Sequence, residues 1–548
     1  MHQFNWFASG FRIFRPQGSD SLGFRETTWL GSGRRVAIAL IALCLSFGLL
    51  QESALARPSN AASPNATGNP EAVDIQPYID GVLDRISEFT LDNGMKFIVM
   101  ERHQAPIISF MTYVNIGAAY EAEGKTGAAH FLEHLAFKGT QKIGTTNYQA
   151  EKPIFDRLDT LFDQIQAAKA AGNTAEVARL QPQFDSARAE AAKLVEQNKY
   201  GQIVEQAGGV GLNATTSADA TRYFYSFPAN KLELWMSLES ERFLEPVFRE
   251  FYEEKDVILE ERRMRTDNSP IGKMIEEFLQ TALPGHPYGR PVIGFAEDIQ
   301  NLTRQDIQDF FDSYYTPDHI VMAVVGDVDP KQVQELAKVY FGRYKARSSA
   351  PEVTATPPVQ TEPRLVTLEL PSQPWYMEGY QRPALTNEDN TIYSMISSLL
   401  TDGRTARLYK SLVEDKQIAL SVSIAPSFPG DRYSNVMLLY ALTAPNHTVD
   451  EVAAALDAEL TRLKTEPVSA AELDRIKTQA RAGLLRTLSS NQGMASLLPE
   501  YEAKTGTWRN LFDELKMIEA VTAADVQRVA QSTFQPKNLT VGKLLSAS

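Results

Sequence analysis

Cysteine is almost absent from this sequence: Cys44 is the only one in 548 residues. That excludes a disulfide framework, a thiol nucleophile and a cysteine–zinc cluster, so any zinc chemistry must use histidine and carboxylate. Histidine is scarce too, with seven in the whole chain. Basic charge is in deficit. The 54 Lys and Arg face 68 Asp and Glu, a formal net charge of −14. Nucleic-acid binding needs a basic surface that displaces counterions, so no nucleic-acid partner is expected. The apolar run from Val36 to Leu50 falls short of the roughly 20 residues that a membrane span requires. What remains is an ordinary globular balance, 43% hydrophobic and 22% charged, in a chain long enough for two to four domains at roughly 100–200 residues each.

The apolar run follows Arg34-Arg35 and is followed by Ala54-Leu55-Ala56. Basic residues, a short apolar stretch and an A-x-A site form the layout of a secretory signal peptide. Residues 1–56 are therefore expected to be a signal peptide cleaved after Ala56, with export to a bacterial periplasm or cell envelope. The alternative is an uncleaved N-terminal anchor, the only circumstance in which a membrane association is expected. Residues 57–80 are rich in Pro, Ala, Asn, Ser and Gly and read as a flexible tether. A second such stretch, 347–363, reads as a linker. It separates an N-terminal domain, 81–346, from a C-terminal domain, 364–548.

Both halves mix strands and helices without regular β-α-β alternation, which indicates an α+β fold. Asp92-Asn93-Gly94 between two apolar runs marks a hairpin. Further strands are expected at Ile107–Ile116, near Ile320–Val325, at Leu365–Leu370 and at Tyr376–Gln381, with a helix near Asn390–Leu400. The region 150–206 stands apart. Phe155, Leu158, Leu161 and Ile165, then Leu180, Phe184 and Ala187, recur at helical spacing on either side of Ala171-Gly172-Asn173-Thr174. This predicts a helical hairpin with polar outer faces, either a solvated structural insertion or a lid or docking arm.

The chemistry centres on His130-Phe131-Leu132-Glu133-His134. On a helix, residues i and i+4 share a face, so both imidazoles can reach one ion. Glu133 lies beside that face, where a carboxylate can take a proton from a zinc-activated water. The order inverts the commoner His-Glu-x-x-His motif. A catalytic zinc usually has three protein ligands. None of His2, His103, His286, His319 and His447 pairs with another at ligand spacing, so a carboxylate is the better third ligand. The acidic helical stretch Glu253–Glu261 offers several. Glu254 and Glu261 share a face, and pattern alone does not choose among them.

The sequence resembles the pitrilysin and mitochondrial processing peptidase family of zinc metallopeptidases. The resemblance rests on AAHFLEHLAFKGT (128–140), AGGVGLNATTS (207–217), EEKDVILEE (253–261), HPYGRPVIG (286–294), YYTPDHIVMAVVGDVD (314–329) and LLTDGRTARLYKSLVE (399–414), in the family's order. It implies two similar domains, each an antiparallel sheet with helices on one face, with the helical hairpin inserted in the first. It implies one zinc per chain held by His130, His134 and Glu261. Glu133 would be the general base, Glu254 its supporting acidic residue, and Asn213-Ala214 part of an edge strand that pairs with peptide substrates. The spacing from His134 to Glu261 is wider than the family's, and the helical insertion accounts for most of the excess. One departure concerns the C-terminal domain. Val413 and Leu420 stand where active members carry a substrate-binding Arg and Tyr. The resemblance therefore implies the metal-binding subunit of a two-chain peptidase whose homologous partner supplies that pair. The alternative is a non-catalytic peptide-binding or assembly subunit.

Overall fold

The computed structural model describes residues 76–346, 353–357 and 359–547. The expected signal peptide, most of the tether and part of the linker lie outside the described residues. No helix among the described residues is long and apolar enough to cross a membrane.

The first sheet has six strands: β1 (Ile86–Thr90), β2 (Lys96–Glu101), β3 (Ile107–Val114), β4 (Val210–Thr216), β5 (Thr221–Pro228) and β6 (Ile320–Gly326), in the order β1-β2-β6-β3-β5-β4. The second has five: β7 (Arg364–Leu370), β8 (Trp375–Arg382), β9 (Ala419–Phe428), β10 (Asn435–Thr443) and β11 (Leu539–Ser546), in the order β7-β11-β8-β10-β9. Without β1, the two orders superimpose. Each sheet is antiparallel but for one pair, β2 with β6 and β7 with β11, at corresponding places. The duplication extends to detail. Thr303 caps a helix through a reciprocal box with Asp306, and Thr522 does the same with Asp525. A short 3₁₀ turn opened by Pro317 or Pro536 follows, and then β6 or β11, with the same offset throughout. The Asp92-Asn93-Gly94 turn closes the β1–β2 hairpin as expected, with Asn93 Oδ1 accepting from Met95 N and Gly94 at a φ of 97°.

Seven helices organise the rest: α1 (Ala128–Leu135), α2 (Tyr148–Ala170), α3 (Thr174–Ala192), α4 (Phe251–Arg262), α5 (Pro270–Ala282), α6 (Asn390–Thr401) and α7 (Asn491–Thr505). Helices α2 and α3 form the anticipated hairpin, parted at residues 171–173 and capped by Asn173. Each sheet is covered on one face by helices of its own half and on the other by a helix from the opposite half. Helix α7 lies on β3 and β6, and α5 lies on β7, β8 and β11. This explains why β6 is apolar throughout and buried at every residue. On the second sheet, side chains alternate with period two. Met377, Val436 and Leu438 join the core that contains Met274 and Phe278 of α5, while Tyr376, Met437 and Leu439 face the other core. Gly379 and Gly542, on adjacent strands, leave the room. A Cβ at either would stand 2.6 Å from Phe278 or 2.5 Å from Met274.

Charges seal the junction between α7 and the first sheet. Glu500 pairs with Arg222 of β5 at 2.9 Å and with Lys504 at 2.8 Å, and Lys504 also reaches Asp431 at 2.6 Å. Burial alone would raise the Glu500 carboxyl, but Arg222 and Lys504 outweigh it and bring it from 4.5 down to about 2. A carboxyl depressed in the folded state stabilises in full above its unfolded value and loses that contribution as pH falls toward the folded one. Glu500→Gln is therefore expected to destabilise the chain at neutral pH by roughly 2–3 kcal/mol. Thermal melts of the variant should also show a shallower fall in stability between about pH 5 and pH 2 than those of the parent chain. Parallel pH profiles would contradict the assignment.

Candidate metal centre

Helix α1 presents the His-x-x-Glu-His motif, and its position is fixed at both ends. At the start, the Glu121 carboxylate accepts from Gly127 N and Ala129 N, each at 2.9 Å, which satisfies free helix donors and complements the dipole. Gly127 has a φ of 92° and packs against Gly294 of the His286–Gly294 motif. A Cβ on Gly127 would stand 2.7 Å from the Ile293 carbonyl. At the other end, Arg249 is fully buried and uses all five of its N–H donors. Nε and Nη2 bind the Glu151 carboxylate at 2.7 and 2.9 Å, Nη1 donates to the carbonyls of Lys138 and Ile143, and Nη2 also donates to Thr140. Arg249 lies two residues before α4, so one side chain ties the end of α1 to the start of α4.

Across that junction the three candidate ligands converge. The imidazole rings of His130 and His134 lie 4.8 Å apart at an angle of 74°. Glu261 Oε2 lies 3.8 Å from His130 Nε2 and 3.6 Å from His134 Nε2. Donor atoms of a tetrahedral zinc stand about 3.3 Å apart at ordinary bond lengths, so this set fits the ion with a small contraction. Among the described residues, no other group of His, Cys, Asp and Glu meets the spacing for a metal. Burial holds His130 well below the usual imidazole range, which leaves it neutral with a lone pair to donate.

The neighbours of the ligands fix their orientation. His134 Nδ1 lies 3.1 Å from Glu254 Oε2, and Lys138 Nζ holds the other oxygen of Glu254 at 2.5 Å and also reaches Glu250 at 3.2 Å. Burial would lower His134, but the Glu254 hydrogen bond and the surrounding carboxylates reverse the sign and raise it. For Glu254, burial opposes ionisation, and His134 and Lys138 overcome it. Arg265 Nη1 binds Glu261 Oε1 at 2.8 Å, which leaves Oε2 facing the histidines. It sits in a π-helical turn, Arg263–Asp267, that continues α4. Glu133 accepts a hydrogen bond from Thr216 Oγ1 at 2.5 Å, and burial raises its carboxyl while Thr216 opposes the shift.

Thr216 ends β4, the outermost strand of the first sheet, which pairs only with β5. Asn213 and Ala214 lie in that strand. Ala214 is buried, and Asn213 is half-buried with its Oδ1 accepting from Ala214 N. In the second half, Val413 packs on the core and Leu420 is half-exposed on β9. Arg407 is committed to Glu472 at 2.8 and 3.0 Å, and Arg404 pairs with Glu414 on the surface. Helix α6, which follows β8 as α1 follows β3, carries no histidine or carboxylate. The sequence reading named none of Lys138, Arg265, Thr216, Arg249 or Glu151. The first two could have been found, since each stands four residues after a candidate ligand.

The comparisons with known proteins agree with this geometry. A model described as insulinase (peptidase family M16) matches residues 96–152 and 189–295, passing over most of the α2–α3 hairpin. A model described as peptidase M16 inactive domain matches 301–480. The two together account for more than half of the chain. The zinc protease PqqE of Helicobacter pylori is 29% identical over 468 residues, 84% of this chain and 92% of that one. The crystal structure of a protease from Helicobacter pylori aligns with a TM-score of 0.71 and 28% identity, covering 84% of this chain and 99% of that one. The periplasmic protease PqqL of Escherichia coli shares the fold at a TM-score of 0.63 and 18% identity, but 84% of this chain covers only 48% of that one. On the two family models and the fold they accompany, the chain belongs to peptidase family M16, a family of zinc proteases.

Proposed function

We propose that the chain is a zinc-dependent endopeptidase that hydrolyses peptides or unfolded protein segments. The observation that carries this reading is the convergence of His130 Nε2, His134 Nε2 and Glu261 Oε2, with Glu133 beside them and an unpaired strand edge alongside. His130, His134 and Glu261 would hold one zinc per chain. When bound, zinc polarises a carbonyl and lowers the pKa of water. Glu133, raised by burial and oriented by Thr216, takes the proton of the attacking water and returns it to the leaving amine. Glu254 keeps His134 in one tautomer with Nε2 free, as partners of metal-bound histidines do. An extended peptide adds to β4 at Asn213 and Ala214 through its main chain, so binding tolerates many side chains.

The C-terminal half supplies no Arg or Tyr at positions 413 and 420. A homologous partner carrying the pair would complete the site. The length relation to PqqL suits this, because that chain holds about two lengths of the present fold. The N-terminal sequence supports action in the periplasm or cell envelope after signal cleavage. The missing pair also favours a second reading, a peptide-binding or assembly subunit without catalysis.

Competition with a chelator is expected to show about one zinc per mature chain, none in His130→Ala, and an affinity roughly ten- to hundredfold weaker in Glu254→Gln. Full zinc retention by His130→Ala would sink the ligand assignment. The zinc-loaded chain, alone or with its partner, is expected to cleave an unstructured peptide library. Glu133→Gln should lose at least a hundredfold in rate, on the order of a general base's contribution, at unchanged zinc content. A folded, zinc-loaded chain that stays inert even with a homologous Arg/Tyr-bearing partner would transfer the case to the binding-subunit reading.

A further inference from the structure

Helix α4 has two faces with different duties. Glu254 and Glu261, seven residues apart, face α1 and the metal centre. The residues around Glu254 face the α2–α3 hairpin instead. Tyr252 donates its hydroxyl to Asp159 of α2 at 2.8 Å, and its ring packs on Phe162 of α2 and Phe184 of α3. Lys255 Nζ sits 4.0 Å from the centre of the Phe162 ring and donates to the carbonyls of Gln300 and Leu302. Arg188 of α3 binds Glu253 at 2.8 Å and Asp256 at 3.1 Å. Asp159 also holds Arg304, whose Nη1 donates to the Phe248 carbonyl just ahead of α4. All of these contacts fall on Tyr252–Asp256, the turn that carries Glu254. One turn further, Val257 and Met264 on the outer side are about half-exposed.

We infer that the α2–α3 hairpin is a positioning element for the metal centre, rather than a solvated insertion or a lid. It grips the outer face of the first turn of α4 and stops the helix from rolling about its axis. A roll would carry Glu254 away from His134 and Lys138, since neighbouring residues on a helix point about 100° apart. The side chains that form the grip on the hairpin, Asp159, Phe162, Phe184 and Arg188, all lie in the stretch that the family model passes over. The metal centre thus gains an outer support that the common core of the family lacks. The inference rests on the reading of His130, His134 and Glu261 as metal ligands.

The test measures zinc affinity, not activity, on the whole mature chain. The double variant Asp159→Ala/Arg188→Ala removes the polar grip without touching any residue near the ligands. Its zinc affinity is expected to fall by roughly three- to tenfold, short of the ten- to hundredfold seen when a direct partner of a ligand is lost. Arg157→Ala breaks a pair with Glu190 that bridges the two helices and makes no listed bond to α4, and should leave zinc affinity unchanged. Melting of the zinc-free protein separates lost positioning from lost folding. Should the double variant not fold, Arg188→Gln alone is expected to weaken zinc in the same direction by a smaller factor, and Arg188→Lys to restore part of it. Parental zinc affinity in a folded Asp159→Ala/Arg188→Ala chain, or in Arg188→Gln, would overturn the inference. A parent chain that takes up no zinc at all would overturn the metal reading beneath it.

Discussion

The site depends first on Arg249. Its guanidinium is buried with five donors and finds five acceptors, three of them main-chain carbonyls in the loop that leaves α1 and two the oxygens of Glu151. A buried guanidinium with unmet donors is costly, so the loop, the first turn of α2 and the start of α4 must occupy one mutual arrangement. That arrangement brings His134 and Glu261, far apart in sequence, within 3.6 Å. Gly139 and Gly144 belong to the same constraint. A Cβ at either would stand 3.3 or 3.0 Å from Arg249 Nη1 and closer still to the loop's own carbonyls.

Around this knot the charges are arranged in layers. Nearest the metal position are neutral His130, His134 and the Glu261 carboxylate. Behind them stand Glu254 and Glu133, and behind those Lys138 and Arg265. Each ligand carboxylate or histidine is held on the side away from the centre, so its free atom points inward. Acidic groups outnumber basic ones at this depth, which suits a centre that receives a cation. The raised pKa of His134 without one has the same origin.

Much of this was legible in the residues. The i, i+4 histidines, the Asp-Asn-Gly hairpin and the helical period of the insertion are local signals, and each lies where the pattern put it. Family order singled out Glu261 and Glu254 from an acidic run whose composition could not. The rest is not local. Arg249 bonds mostly to main-chain carbonyls, which carry no sequence signature. The one-residue alternation on β8 and β10 shows that both faces are buried only after α5 is known to lie on them. The duplication was visible as a similarity of style between halves, while its detail, the shared Thr-x-x-Asp caps and the matching parallel pairs, emerged once strand order was known.

The crossing of α5 and α7 has a meaning beyond packing. Each is the third helix after the corresponding hairpin strand, β5 in one half and β10 in the other, and each closes the opposite sheet. The same element travels in both directions, as in an isologous exchange between two identical subunits. The two halves thus have the form of a swapped dimer written as a single polypeptide. The linker between them supplies covalent continuity, whereas the exchanged helices supply cohesion. A break confined to the linker would leave both walls in place, and a change of partner for either half would require both helices to let go at once.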